Sequence, residues 1–269
     1  MRRLLTVMVA ALMAAGAFAQ AKALVIKGTL KTANDVKTGS IKWSVKEKAY
    51  ITQRKAGNMV VDEITKPEDV VELSIDKPEG WDQIAAAVDA GRGATVMKKL
   101  EAIAKNYAHL QWDKTATRYL AKAYLDSGNN DAALKACNTV IGMEPEAAYV
   151  GELAPMYWQT LLRLNRLSNL ESALKKAAVS GDRYASGAAL IMRGDITVAG
   201  KDGDRDAAKK ALQDGYLRVI FLYQDVPELP PEALYKAAKC FETMGQAPRA
   251  AAMRSELRQK YPSSPWAAK

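Results

Sequence analysis

The residue types best suited to catalysis or metal binding are few in this chain, and their spacing argues against both. The acids of "DGDRD", Asp202 to Asp206, alternate as the ligands of a calcium loop do. Such a loop needs glycine at its sixth position and glutamate at its twelfth, where a sharp turn and a bidentate carboxylate complete the oxygen cage. Ala207 and Gln213 stand there instead. The stretch reads as a polar turn, with Asp206 near the N-cap of the next helix. His109 is the single imidazole, so any histidine-dependent triad or zinc site would have to use it, and no Cys/His spacing surrounds it. The sequence has no GxSxG, no HExxH and no phosphate-binding glycine loop. "GRGATV", Gly91 to Val96, lacks the Gly-Lys-Ser/Thr ending and reads as a turn between helices. The triplet Arg193-Gly194-Asp195 falls inside a helical pattern and carries no weight as an adhesion motif. The expectation is a protein that is not an enzyme and that uses neither metal nor cofactor.

Binding is therefore the function to look for, and the charge is unevenly placed for it. The formal net charge is +9, of which Arg2 and Arg3 contribute two. Between Gln20 and Lys66 there are ten Lys/Arg against four Asp/Glu, so that short region carries +6 and the rest of the chain is nearly neutral. A localised basic field favours an acidic surface such as anionic headgroups or wall polymer. The same lysines also serve to blunt the edges of strands. Arg2 and Arg3, the apolar run Leu4–Phe18 and the small residues Ala17 and Ala19 form a cleavable signal peptide over residues 1–19. Spanning a bilayer takes about 20 apolar residues, more than this run supplies. The expectation is export to the periplasm or beyond, with no transmembrane segment after cleavage and no nucleic acid as partner. Cys137 and Cys240 sit in apolar helical patterns and read as two buried thiols.

The chain divides by hydrophobic period. From residue 20 to 76 the period is two: in "GSIKWSVK", Ile41, Trp43 and Val45 alternate with Lys42, Ser44 and Lys46. "ALVIKGTL", "KAYITQR", "NMVVDEI" and "VVELSID" are further strands, separated by turn clusters such as "TANDVKTG" and "KAGN". These predict a small antiparallel barrel or rolled sheet, which resembles SH3-like or Sm-like modules. If Trp43 is exposed beside Lys42 and Lys46, this surface suits peptidoglycan; if buried, it is core. From residue 77 to 269 the period is helical and alanine is abundant. The class is α+β, a β module followed by about five helical hairpins.

Self-similarity supplies the hairpin reading. With Lys114 as position one, Leu120, Ala121, Tyr124, Gly128, Ala133 and Pro145 recur at intervals that Ala237, Ala238, Phe241, Gly245, Ala250 and Pro262 repeat from Pro231. This pattern resembles the tetratricopeptide repeat, in which small residues let two antiparallel helices approach and an aromatic fills the gap near the turn. Thr117, Cys137, Val140 and Arg254 depart from it. A weaker unit runs from Trp81 to Tyr107, and two drifted units lie between the better ones, the first without its glycine. The ending "QKYPSSPWA" is similar to junctions in exported bacterial repeat proteins of outer-membrane assembly and Tol-Pal accessory type. The resemblance implies a superhelix whose inner groove is lined by first helices. It places Arg118 and Lys122 of one repeat, and Tyr235 and Lys239 of the last, in that groove as grips for an acidic or C-terminal peptide of an envelope protein. Two functions follow as expectations: a cell-envelope scaffold working through the repeats, or a wall-binding protein working through Lys42, Trp43 and Lys46.

Overall fold

In the computed structural model, residues 24–56 and 59–269 are described; the segment read as a signal peptide and the tip of the "KAGN" turn lie outside them. They form two compact units, one ending at Asp76 and the other spanning Lys77–Lys269.

The first unit is a five-stranded antiparallel sheet: β1 (Lys27–Thr32), β2 (Val36–Ser44), β3 (Ala49–Ala56), β4 (Met59–Thr65) and β5 (Val70–Ile75), in the order β4-β3-β2-β1-β5. β2 changes partner along its length. Residues 36–40 pair with β1, residues 41–44 with β3. Gly39, at the change, has φ 145°, a conformation that favours glycine. Opposite it, Gly28 lets β5 close in, because a Cβ there would meet Ser74 O at 2.4 Å. The sheet curls enough for Lys37 of β2 to reach across β3, to Thr65 Oγ1 at 3.1 Å and Glu63 at 3.1 Å. Ile26, Leu30, Ile41, Ala49, Thr52, Thr65 and Ile75 are its buried side chains. The alternation read from sequence fails at Val45, which is 80% exposed. Its strand ends at Ser44, and the turn that follows passes through Lys48 at φ 48°. The first turn is shorter than the "TANDVKTG" cluster, since β2 already starts at Val36.

The second unit is five consecutive helix pairs: α1 (Trp81–Asp89) and α2 (Met97–Asn106), which follow one another across a short 3-10 turn while α2 packs on α3, then the hairpins of α3 (Trp112–Asp126) with α4 (Asn130–Met143) and of α5 (Leu153–Arg163) with α6 (Leu167–Val179). In the fourth, α7 (Arg183–Val198) pairs with one continuous helix, built from α8 (Arg205–Ala211), a π-helical turn (Leu212–Tyr216) and α9 (Leu217–Leu222). In the fifth, α10 (Pro230–Thr243) pairs with α11 (Ala247–Lys260). First helices neighbour one another as far as α7, α1 with α3, α3 with α5 and α5 with α7, whereas α10 packs on the continuous helix 205–222. Ala121, Ala133, Ala237, Ala238 and Ala250 are buried where helices meet, which is what close approach of two backbones requires.

The turns explain why the period is legible. Gly91, Gly128 and Gly245 all stand in the left-handed region, at φ 72°, 78° and 74°. There the residue after each glycine donates its N–H back to the helix, Asn129 to Tyr124 O at 2.9 Å and Gln246 to Phe241 O at 2.8 Å. The third hairpin turns without a glycine. Asn165 takes the left-handed position at φ 53°, and Arg166 N–H bonds Leu161 O at 2.8 Å, the same closure. Asn129 then caps α4, its side chain accepting from Ala132 N–H at 3.2 Å. Thr117, one of the departures from the repeat pattern, is buried and donates its hydroxyl to Asp113 O at 2.7 Å. Arg254 donates twice to Glu242, at 2.8 and 2.9 Å, and its guanidinium lies 5.9 Å from the Tyr235 ring centre. No helix among the described residues is long and apolar enough to cross a membrane.

Candidate functional site

The most polar part of the helical core lies where α7, the continuous helix 205–222 and α10 converge. The buried residues of α7 are small or apolar, and its glycines set the geometry. A Cβ on Gly194 would meet the Tyr216 ring at 2.5 Å, and one on Gly215 would meet Leu190 O at 2.8 Å. Without side chains there, the two helices approach closely and the π turn delivers Tyr216 into the interface. Its hydroxyl donates to Asp195 Oδ1 at 2.8 Å. Lys236 Nζ donates to Asp195 Oδ2 at 2.6 Å and pairs with Glu232, one turn earlier on α10, at 2.6 Å.

Two carboxylates and one ammonium therefore share a largely dry space. Burial pushes the Asp195 carboxyl above its ordinary range, outweighing the opposing pull of Lys236 and of the Tyr216 hydroxyl. Burial also works against the Lys236 ammonium, but Asp195 and Glu232 together overcome it and hold its pKa above that of an ordinary lysine. Tyr216 is kept far above the phenol range by burial first and the Asp195 charge second, so it stays a donor. The Cys240 thiol beside them is pushed up to about 11 by burial and by Asp195, which leaves it a poor nucleophile.

This cluster floors a cavity of about 320 Å³ whose rim includes Lys201 and Asp202 of the loop after α7, and Tyr235 and Lys239 of α10. Asp204 in that loop caps α8, accepting from Asp206 N–H and Ala207 N–H at 2.9 Å each, two residues earlier than the capping position read from sequence. Lys239 Nζ lies 5.3 Å from the Tyr235 ring centre, a cation–π contact that leaves its ammonium without a carboxylate among the described residues. Trp266, from the segment after α11, also packs on Tyr235, at 5.2 Å, with Lys269 over its own ring at 3.8 Å. The arrangement offers an aromatic wall, a free cation and a buried, fully hydrogen-bonded polar floor.

Of the residues singled out from sequence, Tyr235 and Lys239 thus meet at one cavity. Arg118 and Lys122 lie on α3, three hairpins earlier, and are engaged locally. Arg118 pairs with Glu144, which Lys114 also holds at 2.8 Å. Lys122 pairs with Asp89 at 2.9 Å and donates to Val88 O at 3.2 Å, tying the second hairpin to the first. In the β module Lys42 and Lys46 are exposed. Trp43 is half-buried and packs edge-on against Tyr50 at 5.0 Å, on the opposite face of β2 from Lys42. A cleft of about 500 Å³ in that module is lined by Asp35–Thr38, Thr52–Arg54 and Glu63. The hydroxyl of Thr52 is itself buried and has no hydrogen-bond partner among the described residues. Neither Cys137 nor Cys240 is in a disulfide. His109 is exposed, and its backbone N–H bonds Asp113 at 2.8 Å. Among the described residues no group of three or more His, Cys, Asp or Glu is placed to hold a metal ion.

Compared with protein-family models, with curated proteins and with solved structures, the chain matches none of them.

Proposed function

We propose that this chain is a non-catalytic scaffold of the cell envelope, exported by its N-terminal segment, whose hairpins act as tetratricopeptide-like repeats and hold an acidic or C-terminal segment of a partner protein. The observation that carries the reading is the convergence of Tyr235 and Lys239 on one cavity whose floor is already satisfied by Asp195, Lys236 and Tyr216. A floor with its hydrogen bonds internally complete offers position and shape rather than turnover. The unpaired Lys239 ammonium offers a charge-assisted bond to a carboxylate, and Tyr235 an apolar wall. Lys122 contributes by tying its hairpin to the one before, and Arg118 by bracing Glu144 at the end of its own hairpin, rather than by gripping the partner directly.

The test is crosslinking in intact cells followed by capture on a chain lacking residues 1–19, compared with the same chain carrying Lys239→Glu. A discrete set of envelope proteins lost on charge reversal supports the reading. An unchanged set removes the α10 cavity from it. A second reading, wall binding through the β module, is favoured by the polar cleft there, which Lys37, Thr38, Gln53 and Arg54 line. Retention on isolated peptidoglycan that disappears with residues 20–76 would establish it.

A further inference from the structure

A second cleft, of about 450 Å³, opens where α6, α7 and helix 205–222 meet. It is separate from the cavity above. At about 100° per residue, Arg193 and Ile196 leave α7 on the side opposite Asp195 and Val198, which face the first cavity.

The cleft gathers four cations from three helices. Lys175 from α6, Arg193 from α7, and Lys210 and Arg218 from the third helix all line it, and none is ion-paired with a carboxylate among the described residues. Two carboxylates, Glu171 and Asp214, also line the cleft. Asp214 is four residues from both Lys210 and Arg218, a spacing that pairs charges on a regular helix. The π turn at Leu212–Tyr216 puts an extra residue into that turn and takes the three off the four-residue register. The floor is apolar, made by Leu174 and Ile196.

We propose that this cleft binds a phosphate monoester, with the phosphate among Arg193, Arg218, Lys175 and Lys210 and the organic portion on Leu174 and Ile196. Four cations against two carboxylates leave two positive charges, and a phosphate monoester carries about −1.5 to −2 near neutral pH. A single carboxylate would neutralise half of that. Two guanidiniums on different helices can each bind the phosphate oxygens in bidentate fashion. The volume falls in the ~300–1,000 Å³ range of small-ligand sites, more than a bare anion fills.

The experiment titrates the full chain with glycerol 3-phosphate and with inorganic phosphate by calorimetry. In parallel it measures co-sedimentation with phosphatidylcholine vesicles with and without phosphatidic acid. The expected result is saturable binding of the monoester or of the phosphatidic acid vesicles. Arg193→Gln or Arg218→Gln should weaken it about tenfold or more, whereas Lys209→Gln, a neighbour outside the cleft, should not. The double variant Glu171→Gln/Asp214→Asn should bind more tightly, a gain that misfolding cannot mimic. Preference for the soluble monoester identifies a free phosphate ligand, and preference for the vesicles identifies a lipid headgroup. Absence of saturable binding to both probes overturns the proposal, as does equal loss in Arg193→Gln, Arg218→Gln and Lys209→Gln.

Discussion

Replacing Lys236 by Met tests whether the Asp195 cluster is the ionic centre described above. The substitution keeps most of the side chain's length and removes only the ammonium. Asp195 is left with Tyr216 as its one strong donor, while Glu232, at 30% side-chain exposure, can turn to water. Breaking a fully buried ion pair costs about 3–5 kcal/mol, and an exposed pair about 0–1 kcal/mol. The Lys236 and Asp195 side chains are 18% and 20% exposed, so the expected loss is about 2–3 kcal/mol. For a unit of this size, melting should fall by roughly 5–10 °C, read by far-ultraviolet circular dichroism. The pH dependence is more diagnostic. Asp195 has a folded-state pKa above its unfolded one, so its contribution to stability is present in acid and lost as pH rises through the folded value. Removing the ammonium raises that folded value further. The deficit of Lys236→Met should therefore widen as pH rises above the ordinary carboxylate range and shrink on acidification. Asp195→Asn in the same background should restore most of the loss. A deficit that is independent of pH, or a double variant as unstable as the sum of its parts, would refute the argument.

Gly194→Ala should destabilise, because crowding the Tyr216 ring costs about 1–3 kcal/mol against a helix gain of at most about 1 kcal/mol. Gly142→Ala, where a Cβ meets nothing within 4 Å, should stabilise by about 0.5–1 kcal/mol. Denaturant titration of the two variants checks the order, and the reverse order would contradict the packing described. The Cys137 thiol is pushed up to about 12 by burial, so alkylation of Cys137 and Cys240 at neutral pH should be slow and should track unfolding in denaturant; fast labelling of the native chain would count against two buried thiols. The hydrogen bond from Lys114, helped by Arg118, holds the Glu144 carboxyl below its ordinary range. Its stabilisation is present above the ordinary carboxylate pKa and lost as pH falls through the lowered value. Glu144→Gln should accordingly soften the acid limb of the stability curve, and an equally steep limb would show that Glu144 is not its source.

Hairpins were readable from sequence where glycine marks the left-handed turn residue, as at Gly91, Gly128 and Gly245. The third was harder because Asn165 performs the same turn, and asparagine is a weaker marker of that conformation than glycine. Strands were readable from alternation, but not the point where β2 leaves one partner for another, since partner choice is not a property of one strand. Val45 was misplaced for a related reason: alternation runs on past the residue at which a hairpin turns. The Asp195 cluster was hidden because its members are 21 and 41 residues apart in sequence. The available hint was a single carboxylate in the apolar run "GAALIMRGDITV". That hint coincided with a triplet set aside as chance. Tyr235 and Lys239 were found through repeat register, which places side chains on a helix face without saying what has gathered opposite them.

The pairing of β5 with β1 has a consequence for how the chain reaches its final form. Every helical hairpin is completed by a neighbour in sequence, so such a stack can nucleate at any unit and grow outward. The sheet instead joins its first strand to its last, and that closure must wait until a loop of roughly 40 residues has been ordered, a cost set by chain entropy. Refolding should accordingly show two phases, with helical signal recovered first and hydrogen-exchange protection of the β1–β5 pairing later. The portion of the chain synthesised first would be the one finished last.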